Sequence, residues 1–181
     1  KAREKNTHIF NIENKGDKPI TYTTWTDLQN AVGTKEFTVQ PRSTYDYDLS
    51  VTPLLGGVYT ASITFQDSDE RFIWWTVEVR TDSPRPEGGH DMRACIRKAT
   101  SAEFSLSNPL NEPITFEVFY QGEGLLGDAT FSLEPKSIMS YTLIFSPLQA
   151  GDTMGNIGFL NEKVGEFWYD LKLIAEENPV Q

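Results

Sequence analysis

Side chains able to do chemistry are few in this sequence, and their spacing limits what they can do. Only two histidines occur, His8 and His90. Acid–base or nucleophilic catalysis needs a base held beside its partner, yet His8 lies in a run of alternating polarity and His90 in a Pro/Gly-rich stretch. They read as a half-buried strand residue and a solvated linker residue. Cys95 is the single cysteine, which excludes an internal disulfide. With two histidines it also falls short of the roughly four closely spaced ligands of a zinc site. It reads as a small buried apolar residue. The acidic run Asp67-Ser68-Asp69-Glu70 lacks the glycine and distal glutamate of an EF-hand loop and reads as a solvated turn. Gly122, Gly124 and Gly127 spell GxGxxG, but a dinucleotide fingerprint joins a parallel strand to a helix, and no helical period follows here. The expectation is no catalytic, cofactor-binding or metal-ligating set, no small-molecule substrate, and a protein that is not an enzyme.

The elements that position these residues are set by an internal repeat. At a constant offset of 94 residues Phe10 meets Phe104, Asn14 meets Asn108, Pro19-Ile20-Thr21 meets Pro113-Ile114-Thr115 and Phe37 meets Phe131. The register continues without gaps through Tyr47 and Tyr141, Gly57 and Gly151, Phe65 and Phe159, to Trp74 and Trp168. A unit of this size suits an immunoglobulin-like sandwich of about 100 residues. Period-2 alternation fills both copies, with no competing 3.6 period. Strands are expected at 8–13, 20–26 and 43–51. Core rows are expected at Tyr45, Tyr47, Leu49 and Val51, at Ile73, Trp75, Val77 and Val79, and in the second copy at Met139, Tyr141, Leu143 and Phe145 and at Phe167, Tyr169, Leu171 and Leu173, with Ile174 on the polar side. The predicted fold class is all-β, two tandem immunoglobulin-like β-sandwich domains. The first covers 1–84, a Pro/Gly-rich linker 85–91, and the second 92–181. The 92–96 strand has only Lys1-Ala2 opposite it, so the opening strand of the first domain is expected to be truncated.

Against these core rows, Trp74 and Trp168 have the wrong parity, as do Trp25 and Phe119 at matched positions. Either flanking loops or the neighbouring domain cover them, or they form an exposed protein-binding patch or interdomain surface. Composition narrows the partners. Of 181 residues 38% are hydrophobic, enough for packed cores, and the net charge of −10 opposes association with nucleic acid or anionic membranes. No apolar run reaches the roughly 18–20 residues of a membrane helix, and no signal-peptide pattern follows Lys1. The expected setting is intracellular, with the reservation that an upstream export signal is compatible with a chain starting at Lys1.

The residues also resemble a family, the intracellular immunoglobulin-like domains named for ASPM, SPD-2 and Hydin, relatives of major-sperm-protein and PapD-like sandwiches. The matching pattern is Phe10, Ile12, Asn14, Pro19 and then Phe37 to Ser43, repeated as Phe104, Leu106, Asn108, Pro113 and Phe131 to Ser137. The stretches 141–148 and 165–171 match as well, whereas Thr52 replaces the more typical serine found at Ser146. The resemblance implies a non-enzymatic scaffold segment of a ciliary or flagellar axoneme, often one of many tandem copies, with axonemal or cytoskeletal proteins as partners. Major-sperm-protein relatives that bind acidic peptides use a basic face, and the acidic balance of 91–181 argues against that use. The alternative is a periplasmic-chaperone-like or adhesion-type recognition module.

Overall fold

The computed structural model describes residues 1–179, and among these every regular element is a strand. The chain divides into two units, Lys1–Ser83 and the residues from Pro84 onward. In the first, β1 (Asn6–Asn14), β5 (Ser43–Val51) and β3 (Ala31–Val32) form one sheet in the order β1-β5-β3. The other sheet runs β4-β2-β6-β7, from β4 (Glu36–Val39) through β2 (Ile20–Thr26) and β6 (Gly57–Asp67) to β7 (Phe72–Thr81).

The second unit repeats this plan with one strand more. Its three-stranded sheet is β11-β13-β9, made of β11 (Leu125–Leu126), β13 (Ile138–Phe145) and β9 (Thr100–Ser107). Its five-stranded sheet is β12-β10-β14-β15-β8, with β8 (Gly88–Cys95), β10 (Ile114–Gln121), β12 (Thr130–Leu133), β14 (Gly151–Asn161) and β15 (Gly165–Glu176). Both units are all-β immunoglobulin-like sandwiches, as the alternation predicts. The offset of 94 is also the register of pairing, since Phe10 opposes Tyr47 on β5 just as Phe104 opposes Tyr141 on β13.

Each sandwich buries the inward residues of both sheets. In the first, Phe65 is fully buried, with Phe37, Tyr47 and Trp75 around it at ring-centroid distances of 5.5, 4.8 and 5.6 Å. In the second, Leu143, Ile157, Phe159, Leu171 and Leu173 are all 0% exposed.

Four expectations change. Gly88-Gly89-His90, read as linker, is already strand, because β8 pairs with β15 from Gly88 on. Met139 is 47% exposed, lying beside the exposed Ile138 at the start of β13, beyond the packed rows. Ile174, read as polar-face, is buried, because β15 is an inner strand whose neighbours at that level are Asp152 on β14 and Arg93 on β8. On β7 the expected core row is only half covered, with Ile73 at 37%, because β7 ends its sheet.

The motif asparagines are the buried polar centres of each domain. Asn14 is 1% exposed, and its Nδ2 donates to the carbonyls of Lys18 at 2.7 Å and Val39 at 3.1 Å, while its Oδ1 accepts from Gly16 N–H at 2.9 Å. Asn108 repeats the pattern, donating to Glu112 at 2.7 Å and Glu134 at 3.0 Å and accepting from Leu110 N–H at 2.9 Å. One carboxamide thus closes its own turn and ties that turn to the end of the next strand pair. Replacing Asn108 by alanine leaves those carbonyls without their donor at a site 2% exposed. A loss of about 1–3 kcal/mol in folding stability is expected from such unpaired groups, measurable by urea titration of the second domain's unfolding transition.

Candidate functional site

Pairing across three strands puts the unexplained aromatics in one line. In the first domain Trp25 on β2 opposes Thr64 on β6, and Thr64 opposes Trp74 on β7. Direct cross-strand partners share a face, so the two indoles flank Thr64 on the outer surface, about 10 Å apart at two strand spacings. Trp25 is 62% and Trp74 59% exposed. Phe72, of the same parity as Trp74 and 62% exposed, extends the patch. It escapes the repeat comparison because its counterpart is Glu166, although parity alone marks it.

In the second domain Phe119 opposes Gly158, which opposes Trp168. Phe119 is 58% exposed, and with glycine between them no side chain separates it from Trp168. Trp168 itself is half-buried. Its Nε1 donates to the Pro84 carbonyl at 2.6 Å, and its own carbonyl accepts from Glu87 N–H at 2.7 Å. The segment entering β8 therefore clasps Trp168, while Trp74 stands open. The four residues thus form two rows of one aromatic pair each.

The remaining sequence candidates have other tasks. Asp67 closes the β6–β7 hairpin: its Oδ1 accepts from the N–H groups of Asp69 at 2.9 Å and Arg71 at 3.0 Å, and its Oδ2 from Arg71 Nε at 3.1 Å. Its counterpart Asn161 closes the β14–β15 hairpin by accepting from Lys163 and Val164 N–H. Burial pushes the Asp67 carboxyl up, but the backbone N–H groups of Arg71 and Asp69 and the Arg71 guanidinium outweigh it and hold the pKa below its ordinary 3.8. In the GxGxxG run Gly122 and Gly127 make room for side chains, while Gly124 lies against the backbone of Ser146 and Pro147. A Cβ on Gly127 would collide with the Tyr141 hydroxyl, which donates to the Asp128 carbonyl at 2.7 Å, and Gly33 stands in the same relation to Tyr47. Burial, with a smaller contribution from Asp128, pushes the Tyr141 pKa up to about 12.

His90 is not a solvated linker residue. It is half-buried on β8, its ring edge-on to Phe104 at 4.8 Å and near Tyr169 at 5.6 Å. His8 is exposed on β1, edge-on to Phe10 at 4.8 Å. Cys95, at the end of β8, is partly exposed. Among the described residues no three His, Cys, Asp or Glu side chains cluster to hold a metal, and no helix is long and apolar enough to cross a membrane.

No protein-family model matches the chain. It is similar to the mouse Hydrocephalus-inducing protein, 28% identical over 135 residues that cover 74% of this chain and 3% of that protein. It is also similar to mouse Cilia and flagella-associated protein 47, 24% identical over 196 residues that cover 87% of this chain and 6% of that one. The chain thus spans a few hundredths of these relatives' length. They bear out the resemblance to domains of the ASPM, SPD-2 and Hydin type. Among solved structures, the Pseudomonas aeruginosa CupB2 chaperone aligns over 91% of both chains with a TM-score of 0.36 and 11% identity.

Two expectations follow from this geometry. Phe65→Ala should cost about 3–5 kcal/mol, the range for emptying a large aromatic site in a packed core. Trp74→Ala, exposed on the outer face, should stay within about 0.5 kcal/mol, so thermal melts of the two variants should separate clearly. Because the folded Asp67 is a stronger acid than the unfolded one, its contribution is complete above the ordinary pKa and is lost as the pH falls through the lower folded value. Asp67→Asn should therefore flatten the acid limb of the first domain's stability–pH curve.

Proposed function

We propose that this chain is a non-enzymatic scaffold segment of a ciliary or flagellar axonemal protein, in which two tandem sandwiches present aromatic rows to other axonemal or cytoskeletal proteins. The observation that carries the reading is the row itself, Trp25 and Trp74 across Thr64 and Phe119 and Trp168 across Gly158. Three of the four are more than half exposed in a fold that has already buried its core. Exposed tryptophan and phenylalanine at matched positions are costly to leave in water, and aromatic anchors of this kind dominate protein interfaces. The names of the relatives support the ciliary setting. The acidic balance of the chain supports partners that are proteins rather than nucleic acids or anionic membranes.

Sedimentation with demembranated axonemes tests it. The chain should pellet with axonemes, and the double variants Trp25→Ala/Trp74→Ala and Phe119→Ala/Trp168→Ala should each bind at least about thirtyfold more weakly, the equivalent of about 2 kcal/mol for a truncated hot spot. Their circular dichroism should remain that of folded sandwiches. Unchanged binding by both doubles would remove the aromatic rows from the function.

A further inference from the structure

The two aromatic rows occupy matched positions, but different chemistry surrounds them. Outward side chains recur every second residue along a strand, so Glu117 stands beside Phe119 on β10, and Glu166 and Asp170 stand on either side of Trp168 on β15. Pairing sets Glu117 and Glu166 in one rung, across Leu160, and Asp170 in the rung on the other side of the row, across Asn156 from Gln121. Successive rungs on one face are about 7 Å apart, so three carboxylates frame the second row. Those of Glu117 and Asp170 make no side-chain hydrogen bond or ion pair among the described residues. At the offset of 94 residues the counterparts of the three acids are Thr23, Phe72 and Thr76, none of them charged, and Gly158 is replaced by Thr64. Lys172, the base on this face of β15, lies a rung beyond Asp170 and has Asp91 opposite it on β8.

No side chain of the second row has a donor to give a ligand. Trp168 already donates its one side-chain N–H to the Pro84 carbonyl, which fixes the indole and leaves its ring as the surface it offers. Phe119 has only a ring, which packs on no other ring among the described residues. The space between them is free, since even a Cβ added at Gly158 would lie 3.7 Å from the Trp168 Cβ, in ordinary contact. Phe119 and Trp168 stand two strand spacings apart, so a group resting on Gly158 is about 5 Å from each, within the roughly 6 Å over which a cation is drawn to a ring face. Ring faces and carboxylates together make an acceptor-only site, and the ligand that suits it is a cation that donates. The wider charge has the same sign, with 6 Lys+Arg against 13 Asp+Glu over residues 91–181, which draws basic segments toward this domain.

Starting from the reading of the rows as protein-binding surfaces, we propose that the row of Phe119, Gly158 and Trp168 is an arginine slot. The guanidinium of an extended, basic segment of a partner protein lies over Gly158 between the two rings and donates to the framing carboxylates. Arginine suits the slot better than lysine, because its planar head stacks on aromatic faces, forks to carboxylates and is less strongly hydrated. The first row, with Thr64 in the gap and uncharged residues in place of the three acids, does not form such a slot.

The test titrates the 181-residue chain with the peptide acetyl-Gly-Ser-Arg-Gly-Arg-Ser-Gly-amide and follows the indole NMR signals of Trp168 and Trp74. The Trp168 signal should move saturably while that of Trp74 stays in place. The same peptide with lysine for arginine should bind at least about threefold more weakly, and the version with citrulline, which keeps the shape and removes the charge, should not bind at the same concentrations. Gly158→Thr gives the second row the layout of the first, at a site with room for the added atoms and with a residue that favours strands. It should weaken binding of the arginine peptide at least about fivefold, as should Glu117→Gln/Asp170→Asn, the scale of one exposed cation–π contact or charge pair. Unchanged affinity in either variant would overturn the proposal, as would equal binding of the lysine or citrulline peptide, or equal shifts at Trp74. Axoneme sedimentation separates the slot from the scaffold reading. If both variants bind axonemes as the unaltered chain does while Phe119→Ala/Trp168→Ala does not, the row remains an interface and the arginine assignment falls.

Discussion

Each sandwich depends on one buried carboxamide. Asn14 and Asn108 are 1% and 2% exposed, where a polar group without partners is costly, and each meets that constraint by bonding the backbone of its own turn and of the strand end beyond it. The carboxamide has to end a strand, face inward and lie against the end of the neighbouring strand pair. Those requirements fix where β1 stops, how the next turn is built and how far β4 or β12 can slide. The aromatic cores are less particular, because a ring in a close-packed interior can be exchanged for another of similar volume more cheaply than a donor can be moved. The repeat keeps phenylalanine, leucine and tyrosine at many matched core sites, and the asparagine at the same point in both copies.

With register fixed, the outer faces follow by parity. Trp25, Trp74, Phe119 and Trp168 lie outward because Tyr22, Phe65, Val118 and Ile157 lie inward on the same strands or their neighbours. The two domains then differ in how their outer rows are treated. In the second, the run into β8 bonds Trp168 from both its indole and its carbonyl, and β8 covers the row beneath. In the first, the corresponding surfaces are open. The contrast comes from one strand, because the remaining sheet order is shared: β4-β2-β6-β7 and β12-β10-β14-β15 are the same arrangement.

Much of this arrangement was legible in the residues. The strands at 20–26 and 43–51 appear with those same bounds because alternation is unbroken there and turn residues flank them. The parity of the four outer aromatics needed only period 2. Their alignment across Thr64 and Gly158 required the pairing register, which sequence spacing does not contain. Gly88-Gly89-His90 misled because glycine and nearby proline signal a turn, while β15 supplies a partner for its backbone from about 80 residues away in sequence. The same holds for Trp168, whose acceptor at Pro84 is separated from it by 84 positions. Met139 and Ile174 depart from their rows because a strand's end and a strand's flanks change burial without changing alternation.

The parallel pairing of β8 with β15 has a mechanical consequence. In an antiparallel hairpin, tension on the two ends peels hydrogen bonds open one at a time, like a zipper. Here the entering end of β8 and the leaving end of β15 point to opposite ends of the domain, so tension along the chain slides one strand lengthwise against the other. The bonds between them, over eight residue pairs from Gly88 to Cys95, are loaded together rather than in succession. Resistance to such pulling is governed by the barrier to unfolding rather than by equilibrium stability. A domain closed this way behaves as a clamp in a chain under load, whatever its resting stability.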